Sequence, residues 1–173
     1  EPYPFATDVQ SFLPGEGAGF GQDIYPGVVF GPPLGAGEGA GSLDVLSLGL
    51  GGELVLGFEG DLVDGPGPDL IVFENAFVGW QEPGVVSASV DGETWIDWPC
   101  DAEDSEGGFP GCAGVAPSLS HPDNCIDATD PLLAGGDAFD LSAIGLESAA
   151  YIRVRDAGSL SGGFDLNSIA IVN

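Results

Sequence analysis

The chain has 173 residues, enough for one domain with a real core, and sets 28 acidic side chains against two basic ones, for a formal net charge of −26. Phosphate binding needs Lys and Arg, so this composition excludes nucleic acid as a partner and argues equally against an anionic membrane surface. A hydrophobic fraction of 43% excludes intrinsic disorder, and no apolar run reaches the length of a membrane span.

Residues 1–42 differ from the rest. They contain Gly-Glu-Gly-Ala-Gly twice, at 15–19 and 37–41, and prolines at 2, 4, 14, 26, 32 and 33. With few side chains to pack, this segment is expected to be an extended arm lying on a surface, its own domain's or a neighbour's; a flexible linker is the alternative. Its best strand candidate is Gly27–Phe30. From residue 43 the text is β: 43–48, 53–58, 70–74, 85–90, 94–98, 151–155 and 166–172 are short apolar runs set off by Gly, Pro and Asp. Asp91-Gly92 between two of them is the strongest hairpin signal. The longest helix-compatible piece is Asp137–Leu146, limited by Gly145. About eight short strands predict an antiparallel β-sandwich of jelly-roll type over residues 43–173.

The charge has to be neutralised in part, because self-repulsion at this level opposes the compact state. Calcium, a hard cation taking six to eight oxygen ligands, suits a chain of this composition. Lysine and methionine are both absent, so the first residue is expected to follow removal of a secretory signal, which places the chain outside the cell or at its surface. An acidic cytoplasmic protein of a salt-loving cell is the competing account. Three cysteines fit an oxidising compartment. Cys100 and Cys112, bracketing the loop 101–111, are the expected disulfide. Cys125 is then left as a buried thiol, the plainer expectation, or as a bond to another chain.

Little supports catalysis. There is one histidine, His121, in a loop where a solvated side chain is expected, and there is no lysine and no Gly-x-Ser-x-Gly elbow. The cysteine spacing does not make a zinc site. Gly35-x-Gly37-x-x-Ala40 is followed by no helix, so it is not a dinucleotide fingerprint. Paired carboxylates of a glycosidase stay open, but a non-enzyme is expected. The positive signal is oxygen ligands in loops and at strand ends: Asp123, Asn124, Asp127 and Asp130 within eight residues, then Asp137 and Asp140, then Asp69, Glu74 and Asn75 around one strand, and Asp165 with Asn167 opening the last. None matches the twelve-residue EF-hand loop. Asp and Asn are also ordinary turn residues, and Asp91 is read as one. Arg153 and Arg155 share a strand face, where ion pairs with the many carboxylates are expected ahead of a ligand clamp. Trp95 and Trp98 face opposite sides of their strand. Trp80 and Trp98 are the candidates for an exposed ring that stacks on a sugar.

Four stretches, Gly65–Phe77, Ser89–Trp95, Ala134–Leu141 and Gly163–Val172, together resemble secreted bacterial proteins described only as cell surface proteins. The resemblance spans about residues 43–173 and implies an exported β-sandwich in which Asp69, Glu74, Asn75, Asp137, Asp140 and Asp165 group together. It implies no activity. The first functional expectation is a secreted, calcium-binding structural protein, self-associating into a homopolymer through residues 1–42. The alternative is a glycan-binding module with structural calcium.

Overall fold

Runs of apolar and β-branched residues punctuated by Gly, Pro and Asp form nine strands in the structure, a computed structural model that describes residues 3–158 and 163–173. They are β1 (Asp8–Leu13), β2 (Leu46–Ser47), β3 (Glu53–Val63), β4 (Leu70–Glu74), β5 (Gly84–Ser89), β6 (Ile96–Asp97), β7 (Asp137–Phe139), β8 (Ser148–Asp156) and β9 (Asp165–Ile171). One sheet has the order β1-β3-β8-β5-β6 and the other β2-β9-β4-β7, with antiparallel pairing throughout. Apart from β1, the chain alternates between the two four-stranded layers except at the β5–β6 hairpin, as a jelly roll does. Among the described residues no helix is long and apolar enough to cross a membrane.

The main core lies between the sheets. Leu54, Leu56, Val86, Ile152 and Val154 face Leu46, Leu70, Val72, Leu166 and Ile169 across it. A second cluster forms on the back of the other sheet, where Phe5, Ala128 and Ala134 cover Ile71, Phe73 and Ala170. Strand β4 is therefore buried on both faces, which is why its sequence is a continuous apolar run rather than an alternation.

Three elements differ from the sequence expectation. Gly27–Val29 is a short 3-10 turn, not a strand, and the turn puts both Val28 and Val29 into the core. Asp137–Leu146 is not one helix: β7 occupies its start, and a 3-10 turn at Leu141–Ile144 is capped by the Asp140 side chain and stopped by Gly145 at φ 74°. The third difference is β1, which lies within the glycine-rich arm and pairs along the β3 edge. The arm packs on its own sandwich elsewhere as well. Leu34 N–H donates to Asn167 Oδ1 at 3.0 Å, and Ser168 Oγ donates to the Gly31 carbonyl at 2.6 Å. Within the described residues the arm is thus paired with its own domain, with β1 as an edge strand of its sheet. At the other end of the arm Phe5 bridges Ala170, and Ile171 N–H donates to the Pro4 carbonyl at 2.6 Å.

Cys100 and Cys112 form the disulfide, with an S–S distance of 2.05 Å. Cys125 is exposed rather than buried, at φ 58° in the surface loop that carries Asp123, Asn124 and Asp127. The hairpin around Asp91-Gly92 joins β5 to β6, with Ala88 opposite Ile96. Its loop is longer than two residues because Asp91 Oδ1 accepts the N–H groups of Glu93 and Thr94 at 2.9 and 2.7 Å.

Phe164 is fully buried, and its ring lies where a Cβ at Gly84 or Gly114 would stand. Phe164→Ala is expected to lower stability by about 3–5 kcal/mol, read as a shifted urea midpoint with an unchanged m-value.

Candidate metal centre

Four strand termini meet at one end of the sandwich, and each brings a carboxylate. Glu74 closes β4, Glu82 stands two residues before β5, Asp156 closes β8 and Asp165 opens β9. The register sets Gly84 opposite Asp156 and Glu74 beside Leu166, with a bulge between Phe73 and Glu74. Glu74 continues the parity of Leu70 and Val72, so its side chain points between the sheets, and it is fully buried. Glu82 is nearly so, and Asp165 is half-buried. A loop wall holds Glu82 in place. Its N–H donates to the Gly114 carbonyl at 3.2 Å, and Gly114 is glycine of necessity, since at φ 81° a Cβ would collide with the Glu82 carbonyl. That wall follows directly on the disulfide and is pinned by Asp137, which accepts Val115 N–H at 3.0 Å and Ala116 N–H at 3.2 Å.

The hydrogen bonds leave part of the cluster unsatisfied. Asp165 N–H reaches Glu74 Oε1 at 3.4 Å, and Asn75 Nδ2 donates to Asp165 Oδ2 at 3.2 Å. Asp156 is fully engaged, accepting Gly51 N–H at 2.8 Å and Phe164 N–H at 3.0 Å. Glu74 Oε2, Glu82 Oε1 and Asp165 Oδ1 are buried and find no donor, and neither does the nearby Asn167 Nδ2 find an acceptor. Such atoms are rare in native proteins and call for an explanation.

Burial, then the charges of Glu82 and Asp165, hold the Glu74 carboxyl well above the ordinary range, against two backbone N–H groups that pull it down. Burial pushes Glu82 from 4.5 up to about 7; a polar contact from Trp80 opposes the shift, and Asp165 and Asp156 add to it. Asp165 is raised too, first by burial, while Ser47 and Asn75 counteract. Asp137 rises to about 6 through burial, although its oxygens are satisfied by the loop it pins.

The remaining ligand candidates fall into two places. Asp64, Asp69 and Asp140 bring carboxylate oxygens within 4.8 Å of one another, a group that could hold a metal ion. Its oxygens already have work to do in the fold: Asp69 accepts from Gly65 N and Leu141 N at 2.8 Å and from Asn173 Nδ2 at 3.3 Å, and Asp140 Oδ1 accepts Ser142 N–H at 2.8 Å. In the loop 121–134, Asn124 accepts from His121 N and Ile126 N, Asp127 from Thr129 N, and Asp130 from Leu132 N, each a local turn bond of 2.9–3.1 Å. Asp123 is exposed; its N–H donates to His121 Nδ1 at 3.0 Å, and its carboxylate lies 3.8 Å from the same nitrogen.

Of the two tryptophans offered for stacking, Trp98 is in the core. It is 4% exposed, packs on Phe139 at 5.3 Å and donates its indole N–H to the Asp140 carbonyl at 2.8 Å, because its strand parity turns it inward. Trp80 is 46% exposed and lies parallel to Phe77, with ring centroids 6.4 Å apart.

No protein-family model matches this chain, and no curated protein matches it. The site therefore rests on its own chemistry. Glu74, Asn75, Asp165 and Asn167 are legible as polar residues at strand ends, whereas Glu82, Asp156 and Asp64 were not singled out from sequence. A usable signal for Glu82 exists, since it is the one acid between Asn75 and Asp91, in an otherwise apolar stretch.

Carboxyls whose pKa rises on folding bind more protons in the native state, so stability is fully present below the unfolded value and is lost as pH rises through the folded one. Without divalent cations, stability should fall between pH 4.5 and 7, the window set by Glu82. Glu82→Gln should flatten that slope and raise stability at pH 7.5 by about 1–2 kcal/mol, measured by urea unfolding in chelator at both ends of the window.

Proposed function

We propose that this chain is an extracellular calcium-binding β-sandwich with a structural role, and that the ion sits among Glu74, Glu82 and Asp165. The observation carrying the reading is a set of three buried carboxylate oxygens, one from each residue, that face one another's charge and lack any hydrogen-bond donor. Buried charges of one sign are tolerated only when protonated or joined to a cation. The oxygens do not lie within a single coordination sphere as they stand, so an ion would draw Glu82 and Asp165 toward Glu74. That movement would tie the ends of β4 and β9 to the approach of β5, which is a structural service rather than a catalytic one.

The donor set selects the ion by type. It consists of carboxylates and the Asn75 amide, with the cysteines either paired at 100 and 112 or distant in the loop that also carries His121. Oxygen-only sites favour calcium or magnesium over zinc and copper. Magnesium demands near-ideal octahedral geometry and gives up its water reluctantly, whereas calcium accepts irregular cages. A disulfide in a small acidic domain is in keeping with an extracellular setting, as is the resemblance of four stretches to bacterial cell surface proteins.

Calorimetric titration of the stripped protein should show calcium binding that Glu74→Gln or Asp165→Asn weakens at least tenfold and Asp127→Asn leaves unchanged. Calcium at about a hundred times its dissociation constant should add roughly 2.7 kcal/mol to folding stability. Absence of heat and of any melting shift in millimolar calcium would sink the proposal.

A further inference from the structure

The outer face of the five-stranded sheet carries a polar groove that shares no residue with the cation site. Cross-strand register builds it in rows: Gly57, Tyr151 and Ser89 lie side by side, then Val55, Arg153 and Ser87, then Glu53, Arg155 and Val85. The walls are Gln10 and Ser11 from β1, Glu53 from β3, Tyr151 from β8, and Asp91 and Trp95 from the β5–β6 loop; Val55 and Gly92 complete the lining, around a volume of about 400 Å³. That volume lies within the range of small-molecule sites.

The groove is unusual in its charge. Both cations of the chain lie on this face, Arg153 at 3.8 Å from Glu53 and 3.4 Å from Asp97, and Arg155 at 2.6 Å from Asp97. Glu53 and Asp97 thus pair with the two guanidinium groups, and with Asp8 and Asp91 beside them the face keeps only a small share of the molecule's charge of −26. The walls are also held rigid. The Arg153 guanidinium lies 4.5 Å over the Trp95 ring, and Asp91 is fixed by Glu93 N, Thr94 N and Ser89 Oγ. The Tyr151 ring lies beside both Gly57 and Gly92, within 4 Å of where a Cβ would stand on either. Gln10 donates its amide nitrogen to Asp8 and keeps its carbonyl oxygen for a ligand.

We infer that this groove binds a neutral saccharide, held between the Trp95 and Tyr151 walls and hydrogen-bonded through its hydroxyls to Gln10, Ser11, Glu53 and the Tyr151 hydroxyl. A pyranose ring has an apolar C–H face and a rim of groups that both donate and accept, which is the complement of aromatic walls set among amide, hydroxyl and carboxylate groups. An anion would meet the chain's net charge, and each arginine already faces a carboxylate. A lipid would find too little apolar wall.

The test is native affinity electrophoresis of the whole chain, in saturating calcium, through gels containing β-glucan, xylan, galactomannan or α-glucan. At least one polysaccharide should retard the protein, with Trp95→Ala and Tyr151→Phe each weakening the retardation at least fivefold and Trp80→Ala leaving it intact. Tyr151→Phe removes one hydroxyl and keeps the ring, so it carries the test alone should Trp95→Ala fail to fold. Free passage through all four gels would overturn the inference. So would retardation that survives Tyr151→Phe, or that is lost on Trp80→Ala.

Discussion

Mutual repulsion among buried carboxylates is the constraint on which this structure turns. Glu74 is fully enclosed, Glu82 nearly so, and Asp165 lies close enough to raise the pKa of both. Two remedies exist, a proton or a cation, and they compete for the same oxygens. The strands meeting there belong to both sheets, β4 and β9 to one and β5 and β8 to the other, so whatever neutralises the cluster also governs how the two layers close at that end. The main core can hold the sheets together by apolar burial, but it does nothing for charge at their rim.

The rest of the chain is arranged to enclose that rim. The N-terminal segment crosses the second sheet and is tied to it by the polar residues that neighbour the cluster, Leu34 to Asn167 and Gly31 to Ser168. Asn75 reaches from Asp165 toward the Ser42 carbonyl at 3.5 Å. On the opposite side the disulfide and Asp137 fix the wall that supports Glu82. Segments that look like low-complexity linker therefore pack against the sandwich beside the site, and Gly15, Gly21, Gly35 and Gly41 stand where a Cβ would collide with neighbouring backbone.

The sandwich was legible in sequence where burial is simple. Strands β3, β4, β5, β8 and β9 announce themselves as apolar runs between turn residues. Strand β1 does not, and the reason is local: a bulge between Val9 and Ser11 breaks its period of two, so the residues turned to the core, Val9 and Phe12, are three apart. Val28-Val29 misleads because adjacent apolar residues can both be buried by a 3-10 turn as well as by a strand in a two-sided core. For the candidate site, the density of acids along the chain points to a different place from the buried cluster. The richest stretch, Asp123 to Asp130, is a surface loop whose acids mostly serve its own turns, whereas Glu82 stands alone in sequence and only the fold gives it acidic neighbours.

The pairing of the chain ends has a mechanical consequence. Residues 4–5 lie antiparallel to residues 170–171, joined by the Phe5–Ala170 bridge and the bond from Ile171 to Pro4. A load entering at one of these points and leaving at the other would open those bonds in succession, like a zipper, instead of shearing a whole strand at once. Resistance to pulling along that axis would therefore be low, while the same domain pressed or pulled across its sheets would engage the entire core together. A cation bound between the layers, as proposed, would add strength in the second direction and almost none in the first.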